Sequence, residues 1–227
     1  MTNSPQSSAL VVLLDVDNTL LDNDHFGADL GARLAAWFGA AERDRFWSIF
    51  AALRAQSGCA DYLGALQQFR AGLENHPALL QMSAYLLEYP FAERLYPRAL
   101  QALAHLHTVG RPVIFSDGEV VFQPRKIQRS GLWDAVRGEV LIYLHKERAL
   151  AAMAQRYPAT QYVCVDDKLE LLMAMKQSLG DRLRTIWVRQ GKYAAAAASK
   201  HPDPSADCTI EAIGDLCQFD FTAFLHV

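Results

Sequence analysis

Short apolar runs recur along this chain, separated by longer stretches with helical spacing. The runs are Ala9–Leu14, Val113–Phe115, Tyr162–Val165 and Leu183–Val188. Continuous Val-, Ile- and Leu-rich runs mark strands buried on both faces. Strand-length runs alternating with helical stretches predict an α/β fold, a doubly wound parallel sheet with helices on both faces. In such sheets ligands bind beyond the carboxyl ends of the strands. The residues that follow each run are therefore the first candidates for a site.

Asp15-Val16-Asp17-Asn18-Thr19 follows the first run directly. Side chains two apart in extended chain point the same way, so Asp15 and Asp17 can converge on one small ligand. One carboxylate can attack and form a covalent intermediate while the other handles protons. Asp and Asn also favour turns, and a solvated strand-end turn is the plainer reading of the stretch alone. The second run ends in Ser116-Asp117-Gly118, where a hydroxyl and backbone N–H groups can hold phosphoryl oxygens. The third ends in Asp166-Asp167. Adjacent carboxylates repel unless a cation or solvent screens them, and hard oxygen ligands at a strand end suit Mg²⁺. One of the pair can equally cap the helix that begins near Lys168.

Taken in order, these stretches resemble the four motifs of the haloacid dehalogenase superfamily. Its first motif is a strand followed by Asp-x-Asp-x-Thr. Its second is a strand ending in Ser or Thr. Its third is a Lys, and its fourth a strand delivering acids to magnesium. The resemblance spans Leu10 to about Arg189. It implies a nucleophilic Asp15, an acid–base Asp17, and phosphoryl oxygens held by Asn18, Thr19, Ser116, Asp117, Gly118 and Lys146. It implies Mg²⁺ at Asp15, Asp17 (through its backbone carbonyl), Asp166 and Asp167, with the second of the paired acids on the ion. Lys146 has the motif-three place by order, although the usual Pro does not follow it; Lys126 and Arg125 are the alternatives. The activity implied is a Mg²⁺-dependent phosphatase acting on a small phosphate ester. The second Asp argues against a metal-free haloacid dehalogenase. A phosphomutase or a catalytically idle domain are the other readings.

About 95 residues separate the first two motifs, far more than one crossover needs. Leu30, Leu34, Trp37 and Phe38 recur at helical spacing, as do three later groups, with Gly39, Gly58 and His76-Pro77 between them. The expectation is a four-helix insert over 23–93, with core residues 1–22 and 94–227. In the resembled superfamily an insert at this place is a cap over the active site. Phe26, Trp37, Trp47 and Tyr62 could pack helices or touch substrate. Beyond Arg189 the pattern predicts a loop and short helix around Ala194–Ala198, a loop at 201–204, an edge strand over 209–213 and a closing helix over 214–225.

A net charge of −3 argues against a nucleic-acid partner, which needs a basic face. Cys59, Cys164, Cys208 and Cys217 form no Cys-x-x-Cys pair, so zinc is not expected. No apolar run is long enough to span a membrane, and the expected location is cytoplasmic. No dinucleotide fingerprint, P-loop, His-Glu-x-x-His or nucleophile elbow is present. Oligomeric state is left open.

Overall fold

A computed structural model describes residues 8–200 and 206–224. Six strands form one sheet in the order β3-β2-β1-β4-β5-β6, every pair parallel. They are β1 (Ser8–Leu14), β2 (Arg111–Asp117), β3 (Val140–Tyr143), β4 (Ala159–Asp166), β5 (Leu183–Val188) and β6 (Cys208–Ile210). β1 is central, with Leu13 opposite Val113 on one side and Cys164 on the other. The two-sided burial expected of its apolar run is observed. Leu10, Val12 and Leu14 enter one core cluster, Val11 and Leu13 the other.

The helices divide between the faces accordingly. On one face lie α5 (Ala99–Val109), α6 (Phe122–Arg129) and the short α7 (Leu132–Ala135). On the other lie α8 (Leu150–Arg156), α9 (Leu169–Leu179) and α10 (Gly191–Lys200). The chain thus winds one way from β1 to β3 and the other way from β4 to β6. This places a topological switch point at the ends of β1 and β4.

Between β1 and α5 the chain forms α1 (Asn23–Phe38), α2 (Ala40–Ser57), α3 (Tyr62–Phe69) and α4 (Ala78–Glu88). Asp22 caps α1 by accepting from the His25 N–H at 2.9 Å, and Asp61 caps α3 by accepting from the Gly64 N–H at 2.6 Å. Phe26 on α1 packs edge-on against Tyr62 and Tyr89 and tilts onto Phe91 and Phe122. Phe122 belongs to α6, so this aromatic cluster ties α1 and α3 to the sheet-covering layer. Gly58, at φ +80°, ends α2 against His145; a Cβ there would overlap the imidazole.

Several boundaries differ from the sequence reading. The stretch from Lys146 to Arg156, whose composition reads as one helix, is a 3₁₀ turn, Lys146–Arg148, followed by α8. The Lys146 N–H is held by the Asp117 carboxylate at 2.8 Å, which draws this turn toward the end of β2. The closing helix expected over 214–225 is replaced by two 3₁₀ turns, Ile213–Gln218 and Thr222–Phe224. Asp220 accepts from the N–H and hydroxyl of Thr222, a turn that ends helical pairing. The five alanines lie in α10, and the expected edge strand is β6. The loop expected at 201–204 lies outside the described residues.

Candidate active site

The polar residues that follow β1, β2 and β4 meet at the switch point. Asp15 continues the β1 ladder, its N–H donating to the Val165 carbonyl at 3.1 Å, and its side chain is buried. Lys146 arrives from the turn after β3, fully buried. Its Nζ lies 2.5 Å from Asp15 Oδ1 and 2.6 Å from Asp166 Oδ2. Burial pulls this ammonium toward neutrality, but Asp15 and Asp166 hold it protonated well above the ordinary lysine range. Lys146 is thus brought to Asp15 without the expected proline; Lys126 is elsewhere.

Asp166 and Asp167 differ sharply in their partners. Asp166 Oδ1 accepts from the Lys168 N–H at 2.8 Å, and Oδ2, which makes no hydrogen bond among the described residues, is ion-paired with Lys146 at 2.6 Å. Asp167 has no exposure, and among the described residues neither of its carboxylate oxygens has a hydrogen-bond partner. Asp15 Oδ2 is also buried without one. Asp15, Asp166 and Asp167 each offer an oxygen within 4.8 Å of the others. Burial lifts Asp167 to about 9, with Asp166 and Asp15 adding to the rise. Burial lifts Asp15 to about 6, opposed by Lys146. Three clustered acids against one pairing lysine, with unpartnered oxygens between them, fit a hard divalent cation.

Asp17 stands apart from this triad. Its Oδ1 accepts from Lys126 Nζ at 2.7 Å, and its side chain is 24% exposed. Lys126, from α6, is itself buried and also donates to Asn23 Oδ1 at 3.0 Å. Its ammonium lies 5.4 to 6.0 Å from the ring centroids of Phe122, Phe91, Phe26 and Tyr62. A cation boxed by four aromatic faces is held by their quadrupoles as well as by Asp17.

The remaining candidates have visible local partners. Asn18, in the left-handed region at φ 62°, accepts from the N–H groups of Asn23 and Asp24 and fastens the start of α1. Thr19 Oγ1 accepts from the Asp167 N–H at 3.1 Å, joining the two strand ends. Ser116 Oγ accepts from Gln123 Nε2 at 2.9 Å. Asp117 holds the Lys146 N–H, and the Gly118 N–H donates to the Tyr143 carbonyl. Gln123 and Lys126 are three apart on α6, both buried. A polar pair at that spacing among Phe122 and Ile127 was the sequence signal for them.

A cavity of about 400 Å³ opens between the sheet ends and helices α1, α2 and α3. Asp17 and Lys168 line its inner side, and Trp47, Phe50, Tyr62 and Tyr193 supply aromatic wall. Tyr62 and Trp47 thus border the cavity, whereas Phe26 is fully buried and Trp37 packs on Tyr85.

Fold and cluster define the class first: an α/β protein whose acids and lysine converge at the switch point of a doubly wound sheet. The family model for haloacid dehalogenase-like hydrolases matches residues 10–178, and the chain belongs to that family of hydrolases. It is 55% identical to a haloacid dehalogenase-like hydrolase from Burkholderia xenovorans LB400 of known structure. That match covers 93% of this chain and 99% of the other, with a TM-score of 0.86. The fold is shared with the HAD-hydrolase YfnB from Bacillus subtilis, solved bound to magnesium, at 16% identity. There the TM-score is 0.58, with 92% and 97% of the two chains covered. It is also shared with a defluorinating L-2-haloacid dehalogenase at 17% identity and a TM-score of 0.61, covering 94% and 98%. No curated protein matches the chain. No helix of the described residues is long and apolar enough to cross a membrane.

Proposed function

We propose that this hydrolase cleaves a small phosphate monoester through an aspartyl-phosphate at Asp15, with Mg²⁺ held by Asp15 and Asp167. The observation that carries the reading is Asp167, buried, with neither oxygen hydrogen-bonded among the described residues, and beside two further acids. A carboxylate in that setting needs a proton or a metal. The Asp17 backbone carbonyl would complete the protein's share of the ligands, with Asp166 beside the ion and on Lys146. A divalent cation there supplies charge neutralisation, so that a carboxylate can approach a phosphate dianion.

In the first step an Asp15 oxygen attacks phosphorus and the ester oxygen leaves, taking a proton from Asp17. In the second, Asp17 takes a proton from water, which attacks the aspartyl-phosphate and frees inorganic phosphate. Lys146 and Ser116 stabilise charge on the phosphoryl oxygens, with Lys146 fixed by Asp117 and Ser116 by Gln123. Asn18, Thr19 and Gly118 shape the backbone around that group. Residues 23–93 act as the cap that excludes water, and 1–22 with 94–227 as the core. The reading implies a small phosphorylated partner.

The Lys126–Asp17 ion pair favours one second reading. The Lys126 ammonium occupies an Asp17 oxygen, and a haloacid dehalogenase needs no acid because halide leaves unprotonated. Hydrolysis of p-nitrophenyl phosphate with Mg²⁺ or EDTA, by wild type and Asp15→Asn, tests the choice. Metal-dependent turnover lost in Asp15→Asn is the expected result. Silence on phosphate esters together with metal-independent release of halide from a haloacid would overturn it.

A further inference from the structure

The wall of the cavity farthest along the chain from Asp15 is cationic, and phosphoryl chemistry at Asp15 leaves those charges without a task. Three basic side chains gather on one ring, Tyr193 of α10. The Arg54 guanidinium from α2 lies 5.4 Å from its centroid, Lys168 Nζ 5.7 Å and Lys192 Nζ 5.4 Å. All four residues line the cavity that also reaches Asp17.

The charges facing this space do not cancel where the cations sit. Asp17 is paired with Lys126, which lies beneath the cavity floor. Asp117 is engaged with the Lys146 N–H. Asp24 takes Lys192, with Nζ to Oδ1 at 3.1 Å and the Lys192 N–H to Oδ2 at 2.8 Å. Among the described residues the Arg54 guanidinium has no hydrogen bond or ion pair, and it stands over the Tyr193 ring. Lys168 Nζ likewise has no hydrogen bond or ion pair among the described residues and lies over the same ring.

The ring itself is placed with care. Gly191 opens α10 at φ +70° and packs on Asn18, where a Cβ would overlap that side chain. Asp24 then fastens Lys192 to α1. Tyr193 is thereby fixed relative to the loop that carries Asp17, two elements removed from the helix that carries Arg54.

We infer that Arg54, with Lys168 and Lys192 around Tyr193, binds a second anionic group on the substrate, a carboxylate or a second phosphate borne by the alcohol half of the ester. The inference rests on the phosphatase reading for the position of the first anion. An unpaired guanidinium at a cavity wall is a fork for a carboxylate or phosphate. Trp47, Phe50 and Tyr62 between the two ends favour a short carbon skeleton over a hydrated one.

The test compares three esters with Mg²⁺: propyl phosphate, its ω-carboxylate analogue and its ω-phosphate analogue. Wild type should prefer one or both anionic esters in kcat/KM by about tenfold to a hundredfold, the range of a charge-assisted contact. The preferred analogue tells carboxylate from phosphate. In Arg54→Gln that ratio should fall toward one, with Arg54→Lys restoring part of it. Lys192→Gln provides a second variant should Arg54→Gln fail to fold. Calorimetric titration of propylphosphonate and its ω-carboxylate analogue reads the same preference without turnover. Equal kcat/KM for all three esters in wild type would overturn the inference and leave the phosphatase reading standing. If none of them turns over, the phosphonate titration decides, and equal binding of the two phosphonates would overturn the inference.

Discussion

Replacing Asp167 by Asn should flatten the pH dependence of stability in the metal-free protein. The folded state holds this carboxyl at about 9, whereas an unfolded chain holds it near 3.8. Between those values folding takes up one proton, because the folded protein binds it and the unfolded chain does not. Stability from this group is therefore complete below about pH 4 and is lost as pH rises toward 9. One proton corresponds to about 1.4 kcal/mol per pH unit. From pH 6 to pH 8 wild type should lose about 3 kcal/mol relative to Asp167→Asn, a sizeable share of a typical 5–15 kcal/mol. The assay is urea unfolding in EDTA at pH 6, 7 and 8 for both proteins, with slopes compared to verify two-state behaviour. Asn mimics the protonated acid, so the two curves should diverge with pH. Saturating Mg²⁺ at pH 8 should restore wild type by about 3 kcal/mol at a hundredfold excess over Kd, and the variant by less. A stability difference that stays constant from pH 6 to 8 would refute the reasoning. It would mean that Lys146 and Lys168 already balance an ionised Asp167, and the case for a cation would lose its basis.

Three further outcomes follow from the same geometry. Lys146→Met strips the counter-charge from two buried acids and should cost about 3–5 kcal/mol in urea unfolding at pH 8, and less at pH 5 where Asp15 takes up a proton. Lys126→Met keeps an unbranched chain in the aromatic box, and Asp17 is exposed enough to be rehydrated; stability should change by less than about 1.5 kcal/mol, while turnover of an alkyl phosphate falls about tenfold or more as Asp17 loses its orientation. Phe26→Ala empties a fully buried position at the centre of the aromatic cluster and should lower stability by about 3–5 kcal/mol in the same assay.

The strands were legible because burial on both faces leaves a continuous apolar run, and the acids were legible because they sit where those runs stop. The four helices after β1 were legible through spacing and glycine punctuation. Lys146 could be placed only by its order along the chain. Its partners Asp15 and Asp166 are distant in sequence, and no local pattern encodes an ammonium between them. The same holds for Arg54 and Tyr193, whose stacking joins α2 to α10. Lys126 was visible as a basic residue on a helix, but its burial follows from aromatic rings contributed by four separate segments. The tail was misread because nothing in its pattern revealed that Asp220 would bond to Thr222 instead.

The central position of β1 has a consequence for how the chain comes to be folded. Leu13 must wait for Val113, a hundred residues downstream, and for Cys164, some fifty further on. At about 5–20 residues per second, a ribosome leaves that strand without its second neighbour for on the order of ten seconds. Pairing of such distant segments is intrinsically slow. During that interval the stretch from Leu10 to Leu14 is an unpaired apolar edge that other chains can reach. Yield on expression should therefore respond to synthesis rate and chaperone supply more than to the stability of the finished enzyme.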